Sequence, residues 1–189
     1  MITQIIRFCD IFISIFMLIF FFPIIIIISI LLFLVDGRPI IYKQLRVGYK
    51  GKKFNIYKFR TMKQVVFKNE NLRLTYLGKI LRKSSLDELP QLINVLIKDM
   101  SMVGPRPLPE EIENKIKNSN RIKRRKILPG ITGMSQINYT GKNRTLDEKI
   151  NLDMKFVDNY SLFNYFQILL KTPIILLYRF YKNKTSIIK

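Results

Sequence analysis

The sequence predicts an α+β fold: a mostly helical, membrane-anchored domain with a long apolar N-terminal helix and one small β-hairpin. Three observations carry that prediction. Ile11 to Val35 contains no charged side chain. Two short β-type segments flank a glycine-containing turn at Tyr49-Lys50-Gly51-Lys52. Beyond them, Leu86, Leu89, Ile93, Leu96 and Ile97 recur at helical spacing, and Pro109 to Lys126 reads as a charged helix. Residues 1–36 form the membrane segment and 37–189 the domain that follows.

Composition limits the chemistry. Lys and Arg outnumber Asp and Glu by 33 to 13, and the net charge of +20 calls for an anionic partner. Nucleic acid, acidic lipid and nucleotide phosphate all qualify. Histidine is absent and Cys9 is the sole cysteine. That excludes imidazole acid–base chemistry, Cys/His zinc sites and an intrachain disulfide. A metal would take oxygen ligands, which selects Mg²⁺ or another hard cation.

In chain order, the apolar run comes first. As a straight helix Ile11 to Val35 would reach roughly 37 Å, against a hydrocarbon core of about 30 Å. No small-residue cleavage site follows it, so a spanning helix is the default. Pro23, near its midpoint, offers an alternative. It removes a backbone donor and can bend the helix into two halves of roughly 18 Å, suited to entering and leaving one leaflet.

From Ile40 the chain turns basic and aromatic. Gln44 to Gly48 and Phe54 to Arg60 read as the two strands of the hairpin, with Lys50, Lys52 and Lys53 exposed at its turn. Lys63 to Arg73 reads as a connector. The stretch Ser84-Ser85-Leu86-Asp87-Glu88-Leu89-Pro90-Gln91-Leu92 then sets two adjacent carboxylates at a helix start. Ser85 as N-cap and Glu88 three residues on would make a capping box. Alternatively the regular helix begins at Pro90, whose missing N–H suits a first turn. Either start puts Asp87 and Glu88 near the positive end of the helix dipole.

Arg121-Ile122-Lys123-Arg124-Arg125-Lys126 closes the charged helix as a solvated or membrane-facing surface. Leu128 to Asn138, with Pro129-Gly130 and Gly133, marks a tight loop. Tyr160 to Tyr181 is aromatic and aliphatic but interrupted by Lys171 and Pro173, which fits an interfacial amphipathic segment or packing on the core.

Several of these strings together resemble one family. They are Arg7-Phe8-Cys9-Asp10, Asp36-Gly37-Arg38-Pro39, Lys58-Phe59-Arg60-Thr61-Met62, the Ser84–Leu92 block with Val103-Gly104-Pro105-Arg106-Pro107, and Leu128 to Asn138. They resemble the signature of the bacterial sugar transferases, the monotopic phosphoglycosyl transferases in their minimal catalytic form. The likeness runs from Arg7 to about Tyr178. Departures are Phe22 before Pro23, where the family commonly has a small polar residue, Met134, and Tyr139-Thr140-Gly141-Lys142-Asn143-Arg144.

The resemblance implies a helix that re-enters at Pro23. It implies transfer of a sugar 1-phosphate from a UDP-sugar to polyprenyl (undecaprenyl) phosphate, with release of UMP. Asp87 would be the nucleophile, forming a covalent phosphosugar ester, and Mg²⁺ would bind Asp87 and Glu88. Glu88 alternatively serves as a base or positions the acceptor. Arg82 and Arg106 are the best candidates for phosphate clamps, because a guanidinium fork matches two phosphate oxygens. Lys58, Arg60 and Gln136 are weaker candidates for nucleotide or sugar contacts, with a structural role equally open. The implied sugar is an N-acetylated hexosamine or derivative, and a homodimer is compatible. The implied location is the bacterial inner membrane, among its lipids, with the domain facing the cytoplasm and no nucleic acid involved. Two rivals stand beside this reading: a membrane-tethered basic protein binding nucleic acid or lipid without catalysis, and a hydrolase that passes the phosphosugar to water.

Overall fold

The computed structural model describes residues 1–63, 73–138 and 144–185, with side chains as far as residue 182. Tyr139 to Asn143 among the family departures, and nearly all of the connector after Lys63, lie outside the described residues.

Helix α1 (Ile2–Asp36) runs through Pro23 as one element. It is the one helix among the described residues long and apolar enough to cross a membrane. Its buried positions fall in two groups at helical spacing: Ile6, Asp10 and Ser14, then Ile28 and Leu32. Between them Ile15, Phe16, Ile19, Phe20, Phe22, Ile26 and Ile27 are exposed. Both ends are fastened to the same domain. Near the start, Arg7 donates to the carbonyls of Val95 (2.6 Å) and Leu96 (2.9 Å). Asp10 Oδ1 accepts from Ser101 Oγ (3.0 Å), the Met102 amide (2.8 Å) and the Tyr165 hydroxyl (2.8 Å). At the far end Arg60 donates to the carbonyls of Arg38 and Gly37, 2.8 Å each, and of Asp36.

Strands β1 (Ile41–Val47) and β2 (Lys53–Phe59) form the expected antiparallel hairpin, with Ile41 opposite Phe59 and Val47 opposite Lys53. A single 3₁₀ turn, Tyr49–Gly51, closes it, and Gly51 takes the positive φ of 80° at low cost. Phe54 and Ile56, two apart on one face, enter the core.

Helix α2 (Tyr76–Ser84) starts on Thr75, whose side chain accepts from the Gly78 amide at 2.9 Å. It ends at Ser85, in the left-handed region with φ 59°. The capping box expected at Ser85 and Glu88 does not form. Leu86–Glu88 is instead a single 3₁₀ turn, and α3 (Gln91–Leu96) begins after Pro90, the alternative start. The apolar face shifts accordingly. Passing from three residues per turn to 3.6 rotates the later positions, so Gln91, Leu92, Asn94 and Val95 are buried. Ile93 and Ile97, expected inside, are 45% and 53% exposed. Asn94 joins α3 to the hairpin, accepting from the Tyr57 amide (3.0 Å) and donating to the Asn55 carbonyl (2.8 Å).

Strands β3 (Ser101–Val103) and β4 (Gly130–Thr132) pair in parallel. The pairing lays Gly104-Pro105 against Pro129-Gly130 so closely that a Cβ on Gly130 would sit 2.0 Å from the Gly104 amide nitrogen. No side chain fits there, which explains the glycine.

The charged stretch after Pro109 is two short helices, α4 (Glu110–Glu113) and α5 (Asn118–Arg124), not one. Its basic run is not uniformly solvated either: Arg124 is buried, because two buried carboxylates face it. Helix α6 (Met134–Ile137) follows β4, and α7 (Leu146–Asp158) opens on a true capping box between Thr145 and Glu148. Helix α8 (Leu162–Thr185) runs through Pro173. Its first half packs inward through Tyr165 and Ile168, while Leu170, Ile174 and Leu177 stay exposed. Ile6, Ile28 and Leu32 of α1 share one core with Phe59, Leu92, Val95, Phe156 and Tyr165.

Candidate active site

The turn between α2 and α3 presents Asp87 and Glu88 in succession. A 3₁₀ turn advances each residue by about a third of a revolution, so the two carboxylates point differently. Glu88 faces the hairpin and the segment after β3. Its Oε1 accepts from Lys58 Nζ at 2.5 Å and from Arg106 Nη2 at 2.9 Å. Burial acts to raise its pKa, but Arg106 and Lys58 outweigh that and hold it down at about 2.

Asp87 is 7% exposed. Among the described residues no hydrogen bond reaches its carboxylate. Burial, and then the negative Glu88 beside it, push its pKa up to about 6, with Lys58, Arg82 and Arg106 pulling the other way. The site therefore holds one carboxylate firmly ionised and a neighbour poised near neutrality.

Of the residues singled out in the sequence, the structure brings together Asp87, Glu88, Lys58, Arg106 and Arg82. Arg82 Nε donates to Thr61 Oγ1 at 2.9 Å, and its positive charge acts on Asp87. Two others make structural contacts. Arg60 donates to the end of α1, and Gln136 Nε2 donates from α6 to the Ile131 carbonyl of β4 at 2.7 Å. Pro23 sits in the exposed middle of α1.

Sequence reasoning missed a second layer. Arg124 donates to Glu113 Oε2 (2.9 Å), Asp153 Oδ2 (3.1 Å) and the Arg106 carbonyl (2.7 Å). Arg125 reaches Glu113 Oε1 at 3.2 Å. No spacing rule links residues 106, 113, 124 and 153. A buried arginine inside a basic run carries no signal of its own.

Among the described residues no group of three or more carboxylate or thiol ligands comes together. Asp87 and Glu88 are a pair. That pair fits Mg²⁺, which typically takes one or two carboxylates and fills its shell with water and substrate phosphate.

A profile of the bacterial sugar transferases matches residues 2–179. The chain is 45% identical over 133 residues to the uncharacterized sugar transferase EpsL of Bacillus subtilis (strain 168), covering 67% of this chain and 64% of that protein. It is 36% identical over 166 residues to the UDP-glucose:undecaprenyl-phosphate glucose-1-phosphate transferase of Klebsiella pneumoniae, covering 81% of this chain and 36% of the relative. Identity to the undecaprenyl-phosphate galactose phosphotransferase of Salmonella typhimurium is 38% over 169 residues, 76% of this chain and 34% of the relative. The chain thus spans under two thirds of the length of each of these three relatives. The strings that meet around Asp87 and Glu88 fall within the profiled span, and the chain belongs to the bacterial sugar transferase family.

Proposed function

We propose that this protein moves a sugar 1-phosphate from a UDP-sugar to polyprenyl phosphate, with Asp87 as nucleophile. The observation that carries the reading is Asp87 itself: a buried carboxylate without a hydrogen-bond partner among the described residues, beside a carboxylate held ionised by Lys58 and Arg106. Lone pairs not engaged in hydrogen bonds make a better nucleophile, and a pKa of about 6 leaves most of the group ionised at neutral pH.

The balance of the reaction is simple. An Asp87 oxygen attacks the phosphorus bonded to the sugar, and the bond from that phosphorus to the UMP oxygen breaks. UMP leaves, and the phosphosugar stays as an acyl phosphate ester. A polyprenyl phosphate oxygen then attacks the same phosphorus, regenerating the carboxylate and forming the polyprenyl-diphosphosugar. Arg106 and Arg82 offset charge on the diphosphate, and Lys58 keeps Glu88 turned towards the hairpin. Asp87 and Glu88 would hold Mg²⁺, which would supply charge neutralisation when bound.

The fastening of both ends of α1 to one domain supports the re-entrant reading over a spanning helix. A helix of 35 residues would extend roughly 52 Å if straight. One domain gripping Arg7, Asp10 and Asp36 leaves the opposite, exposed apolar face of α1, from Phe8 past Pro23 to Leu34, to enter lipid. The exposed Leu170, Ile174 and Leu177 of α8 would then lie in the same interface, on the cytoplasmic face of the inner membrane. Two of the named relatives are a UDP-glucose:undecaprenyl-phosphate glucose-1-phosphate transferase and an undecaprenyl-phosphate galactose phosphotransferase; for this chain the proposed donor is a UDP-hexose or UDP-N-acetylhexosamine.

The test is adduct mapping. With Mg²⁺ and a panel of UDP-sugars but no acceptor, the protein should release at most about one UMP per site and gain one sugar phosphate on the Asp87 peptide. Polyprenyl phosphate should discharge it. Asp87→Asn should lose adduct and turnover together. Continuous UMP release without acceptor would favour hydrolysis, and an adduct persisting in Asp87→Asn would assign another nucleophile.

A further inference from the structure

The segment that carries Arg106 cannot hold itself in place. Pro105 and Pro107 have no N–H, so local backbone hydrogen bonding is largely closed to it. Its four successive carbonyls are taken by donors from three other elements. The Pro105 carbonyl accepts from the Gly130 amide (3.0 Å) and that of Leu108 from the Val47 amide (3.1 Å). That of Pro107 accepts from Arg46 Nη1 (3.3 Å). That of Arg106 accepts from Arg124 Nη2 at 2.7 Å, the shortest of the four.

Arg124 is suited to fix a position. Its side chain is 5% exposed, and the carboxylates it meets, Glu113 and Asp153, are 3% exposed. With Nη1 on Glu113 and Nη2 on Asp153, the planar guanidinium has a set orientation. Buried ion networks of this kind add little net stability, because desolvation offsets much of the attraction. Their yield is geometry. The same residue whose carbonyl Arg124 holds sends its own guanidinium to Glu88 Oε1 at 2.9 Å.

We infer that Arg124 is a positioning residue: it fixes the main chain of Arg106 so that the Arg106 guanidinium faces the substrate phosphates beside Glu88. The inference deepens the proposed function and rests on it for the identity of the phosphates. Its test uses inorganic diphosphate as the probe, so a failure here is distinguishable from a failure to release UMP.

Diphosphate affinity is measured by calorimetry on the full-length, detergent-solubilised protein with Mg²⁺, alongside its thermal midpoint. The variants are Arg124→Lys, Arg106→Lys and the double substitution. Each single change should weaken binding about tenfold, and the double should be within about twofold of the weaker single, because both act through one guanidinium. A merely structural role would lower the midpoint and leave the affinity of the folded fraction unchanged. Wild-type affinity in Arg124→Lys, multiplicative losses in the double variant, or no diphosphate binding by the wild type would each overturn the inference. If Arg124→Lys does not fold, Glu113→Gln replaces it. The amide removes one of the two carboxylate oxygens that Arg124 and Arg125 use, which frees the fork, and the same non-additivity with Arg106→Lys is expected. Unchanged affinity in Glu113→Gln would then count against the assignment.

Discussion

Lys58 Nζ lies 2.5 Å from Glu88 Oε1, an ion pair that joins strand β2 to the turn carrying the two acids. It decides which of the neighbouring carboxylates is tied down. Glu88 shares its oxygen between Lys58 and Arg106, while Asp87 has no hydrogen-bond partner among the described residues. The consequences can be measured.

The first concerns pH. Asp87 has its folded pKa raised from 3.8 to about 6, so the folded state holds this proton more tightly than the unfolded chain. Its contribution favours folding at low pH and is lost as pH rises through about 6. Asp87→Asn removes that cost. The stability gained over wild type should grow by about 2 kcal/mol between roughly pH 4.5 and 7.5. Glu88, held down at about 2, has the opposite dependence in both proteins and largely cancels. Paired thermal melts across this range check the sign; a constant difference would mean that Asp87 is not perturbed.

Arg106 should act on phosphate more than on folding. Its side chain is 43% exposed, and among the described residues it pairs with Glu88. Arg106→Lys keeps the charge and loses the fork, so kcat/KM should fall at least about tenfold with the melting midpoint within a few degrees of wild type. Steady-state kinetics beside a thermal melt separate the two; wild-type turnover would remove Arg106 from the phosphate site.

Asp10 carries a sharper structural test. All three donors, Ser101 Oγ, the Met102 amide and the Tyr165 hydroxyl, converge on one oxygen, Oδ1. Asp10→Asn retains that oxygen and should fold. Asp10→Leu orphans three buried donors at about 1–3 kcal/mol each and should not accumulate as folded protein. Expression and melting in detergent give the answer, and a stable Asp10→Leu protein would refute the role.

Topology is read by thiol labelling. In a Cys9→Ser background, cysteine placed at Thr3 should stay unlabelled by an impermeant reagent on intact cells and react after lysis. Labelling from outside would restore a helix that spans the bilayer.

The hairpin, the apolar helix and the paired acids were legible because each rests on local chemistry: alternation, an uncharged run, adjacent carboxylates. The helix start was legible only as a choice. Pro90 decided it against Ser85, since a residue without an N–H takes a first-turn place readily. Ile93 and Ile97 were misassigned because a 3₁₀ turn resets the helical phase, and no periodicity scan sees that reset. Arg60 shows a different limit. It stands two residues from Lys58 in the same family string, yet β2 sends Lys58 to Glu88 and Arg60 to the end of α1. Arg124, Glu113 and Asp153 were invisible because their meeting is wholly tertiary.

The grip of the domain on both ends of α1 also governs how the protein can be handled. Ile6, Ile28 and Leu32 are core residues as much as Phe59 or Val95 is. Cutting away residues 1–36 would open that core and strand the Tyr165 hydroxyl and the Met102 amide without their acceptor. The last-turn carbonyls of α3 would lose Arg7 as well. No water-soluble domain waits inside this chain to be released by trimming; purification has to carry the greasy face of α1 along, wrapped in detergent or lipid, for the turn that bears Asp87 and Glu88 to keep its shape.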